Sequence, residues 1–302
     1  MSAQAKIWNG VLRLFGSMPL KAHYANANFL AWLIGDVFRY RRDVVSFNLA
    51  RCFPEKTTKE LKALRKESYR HFADIVVEAV WFGACRNPQR LHDARIAEIA
   101  NPEVISDLFS KAPSIAVLYS HCGNWELFGG IESYNYSDQP IPLSEQNTTV
   151  VYKRTNSKTT DEVLQMNRFA PVKDKEHFNG YVETRDLIRY AFKHKDEKRI
   201  YNINTDQRPY KDSGANIPVR FLGQDTQTMT GAAAIARKFG MAVCYLRMQQ
   251  TERGHYRMEY VPICENASET SIEDIMARYY ELLEADIRLQ PANYLWTHKR
   301  FR

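Results

Sequence analysis

Ile115-Ala116-Val117-Leu118-Tyr119 is an uninterrupted apolar run. Five residues with two β-branched side chains have the length and composition of a strand. A strand with no polar side must be covered on both faces, so this run predicts a buried position in a sheet layered by helices. It gives way to Ser120-His121-Cys122-Gly123-Asn124-Trp125-Glu126, and helical spacing begins after Gly123. A histidine therefore stands where a buried strand ends, with a carboxylate five positions later. Ligands of open α/β folds bind at the carboxyl ends of strands. A His with a nearby Glu is suited to act as a general base with an orienting partner.

The rest of the chain supports that architecture. Residues 1–90 read as helices. Ile7, Trp8, Val11, Leu12, Leu14 and Phe15 line one side of the first, which suits either a membrane interface or packing on its own domain. Phe29 to Phe38 forms a second, and Cys52-Phe53-Pro54 stops a third. Thr57/Thr58 followed by Glu60 is a cap for a helix over 58–84. From about residue 93 the rhythm changes. Strands are expected at 95–99, 114–120, 149–153, 199–204, 241–247 and 255–261. Helices are expected at 102–111, 124–134, 158–167, 181–194, 229–239 and 271–289. This alternation predicts an α/β fold with a mixed, largely parallel central sheet and flanking helices. It divides the chain into an N-terminal helical, membrane-associating region (1–92) and an α/β domain (93–302).

Charge is unevenly placed. Residues 1–70 hold 13 Lys/Arg against 5 Asp/Glu, an excess of eight in a chain whose total is +7. A basic region of this kind seeks anionic lipid, nucleic acid or an acidic protein. It carries no recognisable nucleic-acid module, and no nucleotide-binding glycine loop follows a strand. No stretch reaches about 18 uninterrupted apolar residues, as a spanning helix would need. Five scattered cysteines without a CxxC pair predict free thiols.

Several residues could carry chemistry. His121 would take a proton from a hydroxyl and Glu126 would fix its tautomer. The helix that follows offers free N–H groups and a positive dipole end to an anion. Cys122, next to His121 on an extended chain, should point the other way. Arg154, after Lys153 at a strand end, is either a clamp for phosphate or carboxylate or a solvated side chain. Asp206, also at a strand end, would bind a hydroxyl, orient a basic residue or simply form a turn. Arg168 is a further candidate. His298, Lys299 and Arg300 read as a surface basic run. No HExxH or Cys/His cluster predicts a metal, and no cofactor is expected.

His121-Cys-Gly-Asn-Trp-Glu126 resembles the H-x-G-N-W-E form of the H-x4-D/E signature of glycerolipid acyltransferases, and specifically the bacterial lipid A late acyltransferase family, which transfers lauroyl or myristoyl chains. Other blocks are similar in order. Tyr40-Arg41-Arg42 to Asn48, Phe53 and Pro54 resembles an Arg-rich segment leading to N-L-x-x-x-F-P. Tyr152-Lys153-Arg154 with Asn156 resembles a Tyr-Arg block followed by Asn. Asp206-Gln207, Phe221-Leu222-Gly223, Thr230-Gly231 and Trp296-Thr297-His298-Lys299-Arg300-Phe301 resemble its later motifs. The resemblance implies an acyltransferase using acyl-acyl carrier protein or acyl-CoA as donor and a lipid A precursor as acceptor. It implies His121 as base, Glu126 as its partner, and Arg154, Asp206, Lys153 and Arg168 around the acceptor. It places the protein on the cytoplasmic face of the bacterial inner membrane, peripheral or monotopic. The competing expectations are an acyltransferase for a lysophospholipid, aminolipid or glycolipid, and a non-catalytic lipid-binding protein.

Overall fold

The computed structural model of the protein describes residues 2–209 and 216–301. The chain begins with helices α1 (Ala3–Gly16), α2 (Leu20–Trp32), α3 (Arg42–Cys52), α4 (Thr58–Gly83) and α5 (Gln89–Ala94), with a π-helical turn over Leu33–Val37 extending α2. α4 opens on a capping box. Thr57 Oγ1 accepts the Glu60 N–H, and Glu60 returns a carboxylate oxygen to the Thr57 N–H at 2.7 Å. α1 leaves Ile7, Trp8, Leu14 and Phe15 exposed, and α2 leaves Phe29 and Trp32 exposed. Among the described residues no helix is long and apolar enough to cross a membrane.

Beyond α5 the elements are β1 (Ala97–Ile99), α6 (Glu103–Lys111), β2 (Ile115–Tyr119), β3 (Thr148–Tyr152), α7 (Lys158–Arg168), β4 (Tyr181–Glu183), α8 (Leu187–Lys193), β5 (Ile200–Asn204), β6 (Asn216–Phe221), β7 (Gln224–Met229), α9 (Gly231–Lys238), β8 (Ala242–Glu252), β9 (His255–Cys264) and α10 (Ile272–Leu289). Seven strands form one sheet in the order β1-β9-β8-β2-β5-β3-β4. All neighbours are parallel except β8 and β9.

β2 lies at the centre, and its apolar run explains why. Ala116 and Leu118 enter one core, with Tyr201, Val243 and the α10 residues Ile275, Tyr279 and Leu283. Ile115, Val117 and Tyr119 enter the other, with Ile105 and Leu108 of α6, Phe82 of α4 and Phe128. Each β2 side chain has a hydrophobic layer to enter, so no position on the strand calls for a polar residue.

Two expectations fail locally. The stretch expected as one helix over 181–194 opens with β4, whose Val182 pairs with Val151 at the sheet edge. The helical spacing of 187–193 masks this three-residue strand. The β6–β7 hairpin is not among the expected strands either. β7 is polar throughout apart from Met229, and β6 has only the short stripe Ile217, Val219 and Phe221, interrupted by Pro218. The two-residue turn Leu222-Gly223 has φ of +49° and +73°, the left-handed pair that suits a tight hairpin.

Candidate active site

The parallel register assembles the site. Tyr119 of β2 pairs with Asn204 of β5, so the residues two beyond them, His121 and Asp206, leave the same sheet edge side by side. Asp206 is 2 % exposed. Its Oδ1 lies 2.8 Å from His121 Nδ1, and its Oδ2 accepts the His121 backbone N–H at 3.3 Å. A carboxylate on Nδ1 keeps the proton there and leaves Nε2 with its lone pair. Nε2 faces the Gln207 side-chain amide at 3.2 Å, and the Trp125 ring stands edge-on to the imidazole. Burial pushes the Asp206 carboxyl up, but His121's charge and its two hydrogen bonds outweigh this and hold it below the usual range.

Glu126 is placed differently from the expectation. Its carboxylate forms a two-pronged ion pair with Arg168, both oxygens at 3.1 Å from guanidinium nitrogens. The reason is the turn. Gly123 reverses the chain with φ of +65°, and a tight 3₁₀ helix starts at Trp125, capped by the Asn124 side chain. Glu126 is thereby turned toward the end of α7, where the Arg168 guanidinium also lies over the Tyr152 ring. Arg168 and Glu126 belong to one unit of the site, and Asp206 is the group on the imidazole.

Lys153 and Arg154 follow β3, the next strand but one along the same edge. Both are exposed. Arg154 Nε lies 3.2 Å from Glu183 at the end of β4, a nearly buried carboxylate that Arg185 also contacts. Arg154 is thus tethered on one side and open to solvent on the other. Cys122 is buried in the core behind the loop, where desolvation pushes its thiol well above the ordinary range. It faces away from the imidazole.

The C-terminal segment holds this loop in place. Gly123 N–H donates to the Asn293 carbonyl at 3.0 Å, Leu295 N–H donates to the His121 carbonyl at 3.1 Å, and Cys122 bridges Tyr294. From the other side Asn48 Nδ2 donates to the carbonyls of Trp296 and His298, and Arg41 donates to that of Thr297. The Arg-rich N-terminal segment and the tail are therefore one structure. His298 sits close enough to Asp206 and His121 to feel both charges, and burial pushes its imidazole down to about 4. Arg300 corrects the expected surface run. It is 1 % exposed, donates to Thr226 Oγ1 and the Tyr280 hydroxyl, and lies against the rings of Phe221, Tyr280 and Phe301. Only aromatic and hydroxyl groups across long sequence separations reveal that placement, so local composition could not.

The site thus offers a tautomer-fixed imidazole with Nε2 against the Gln207 amide, an Arg–Glu pair on the helical turn that follows, and two cations farther along the edge. That set suits proton removal from a hydroxyl next to an anionic group. No curated protein matches the chain. The family description "Bacterial lipid A biosynthesis acyltransferase" matches residues 3–302, nearly the whole length, and on that ground the chain belongs to the bacterial lipid A biosynthesis acyltransferases and is an acyltransferase.

Proposed function

We propose that the enzyme moves a fatty acyl chain from an acyl thioester, acyl-acyl carrier protein or acyl-CoA, to a hydroxyl of a lipid A precursor, with His121 as general base. The observation that carries this reading is the Asp206–His121 contact at 2.8 Å, with Nε2 left as the acceptor. The acceptor hydroxyl would replace the Gln207 amide at Nε2 and attack the thioester carbonyl. An O–C bond forms, the C–S bond breaks, and the proton passes through His121 to the departing thiolate. Asp206 steadies the imidazolium while it exists. General-base help of this kind is worth about 10²–10⁴ in rate. The pair Glu126–Arg168, with Lys153 and Arg154, would receive the anionic groups of the acceptor.

Residues 1–92 would rest on the cytoplasmic face of the inner membrane. The exposed apolar side chains of α1 and α2 and the positive charge of residues 1–70 both favour an anionic lipid surface. The test is His121→Ala, with transfer of a lauroyl group to a lipid A precursor read by mass spectrometry. Transfer should vanish while circular dichroism shows the fold retained, the melting temperature falling because buried Asp206 loses its imidazole partner. A folded variant with near-full activity would overturn the mechanism.

A further inference from the structure

Behind the His121 loop lies a buried acid that the chemistry above does not use. Glu78, near the C-terminal end of α4, is 0 % exposed. Its Oε1 accepts the Tyr24 hydroxyl of α2 at 2.8 Å. Its Oε2 accepts the Asn124 side-chain amide at 2.8 Å and the Tyr256 hydroxyl of β9 at 2.9 Å. A carboxylate taken out of water is costly unless hydrogen bonds replace its hydration, and three donors from three separate elements do so here.

Asn124 is the link to the site. It is fully buried, and its amide has two different ends. Nδ2 must donate to Glu78, so Oδ1 is turned to the Glu126 N–H, which it accepts at 3.1 Å. That bond caps the 3₁₀ helix carrying Glu126, directly after the His121 turn. An apolar residue at position 78 would leave the Asn124 amide without a directional acceptor. We propose that Glu78 is a positioning residue for acyl transfer: it orients the Asn124 amide and so holds the turn that carries His121 and Glu126. The proposal rests on the reading of His121 as base given above.

The other groups around Glu78 are accounted for. Asp74, one turn earlier on α4, is held by both prongs of Arg253, whose guanidinium lies over the Tyr24 ring. His71 meets the Tyr256 ring edge-on, and burial pushes its imidazole down to about 4. Desolvation pushes the Glu78 carboxyl up to about 7 in spite of its three donors. Glu78 is therefore poised to share a proton with any acid placed beside it.

The experiment is a donor–acceptor exchange. Asn124→Asp sets a second carboxylate at hydrogen-bond distance from Glu78. Two buried carboxylates in contact keep one proton between them, so this variant can still hold the turn. Glu78→Leu leaves the Asn124 amide with no acceptor, and displacement of the turn on the order of 1 Å should lower kcat by about 10²-fold with KM little changed. Glu78→Gln combined with Asn124→Asp keeps the bond in the reverse sense. The amide introduced on α4 donates to the carboxylate introduced in the turn, which still accepts the Glu126 N–H. This double variant should keep kcat within about tenfold of the unaltered enzyme. Transfer from lauroyl-acyl carrier protein to a lipid A precursor is measured alongside melting temperature, with His121→Ala in the same series. The proposal is overturned if folded Glu78→Leu keeps its kcat, or if the double variant keeps melting temperature but not kcat. Activity in His121→Ala would instead overturn the base assignment on which it rests.

Discussion

Asp206→Asn is the sharpest perturbation of the site, because it changes charge and proton direction while preserving shape. In the native arrangement Asp206 accepts from His121 Nδ1 at 2.8 Å, and this bond gains strength as the imidazole becomes positive. The second contact, to the backbone N–H at 3.3 Å, is the same before and after proton transfer. The substituted side chain can satisfy the ring by turning its amide N–H toward Nδ1. The proton then moves to Nε2, and the lone pair that should take the hydroxyl proton is gone. Removing one partner of a buried charge pair costs about 3–5 kcal/mol. If that cost falls on the imidazolium formed in the reaction, kcat drops by about 10²–10⁴. KM should change little, because Asp206 is nearly buried and faces the ring rather than the acceptor. The assay is single-turnover transfer of a lauroyl group, read by mass spectrometry. Glu126→Gln serves as the contrast, since Glu126 meets Arg168 and not the imidazole. It should raise KM for the acceptor more than it lowers kcat. The reasoning is refuted if Asp206→Asn keeps kcat within about threefold while Glu126→Gln abolishes it. A pH signature accompanies this. The native Asp206 carboxyl is held below the usual range, so its contribution to stability is present above the unfolded-state value of about 4 and fades as pH falls through the native one. The melting-temperature gap between the unaltered enzyme and Asp206→Asn should therefore narrow on acidification.

Two more outcomes are expected. Gly123→Ala should cost about 1–3 kcal/mol in urea unfolding and lower kcat as well, because φ is +65° and a Cβ there would meet Met248 Cγ and Sδ at 2.5 Å; an unchanged unfolding midpoint would count against the strained turn. Leu14→Glu together with Phe15→Glu should weaken binding to phosphatidylglycerol vesicles by about tenfold or more, from about 1–2 kcal/mol of lost apolar burial per residue. Both side chains are exposed on α1, so melting temperature should hold, and equal sedimentation with vesicles would remove α1 from the proposed membrane contact.

Much of this protein can be read without coordinates. Ile115–Tyr119 is buried on both faces, and that demand is written in five consecutive side chains, so the central strand and its helical layers follow from local composition. Thr57 and Glu60 mark the start of α4 because a capping box involves only neighbours. His121 stands out for the same reason: it closely follows the strand. The family resemblance rests on ordered motifs that are also local. What local reading does not supply is partnership across the chain. Glu126 lies five residues from His121 and reads as its companion, yet the turn at Gly123 sends it to Arg168, while the parallel register of β2 and β5 delivers Asp206, 85 positions away in sequence. Arg300 reads as solvated and is buried among aromatic rings drawn from the β6–β7 hairpin, α10 and the tail. Glu78 lies within the helix expected over 58–84 with nothing local to single it out, and the fold makes it hold Asn124, Tyr24 and Tyr256 together. Sequence determined most of the segments that become strands and helices, β4 and the β6–β7 hairpin excepted, because those preferences arise from neighbouring residues. Tertiary structure alone decided which charged groups meet, because strand register and the path of a single turn set distances that no local pattern encodes.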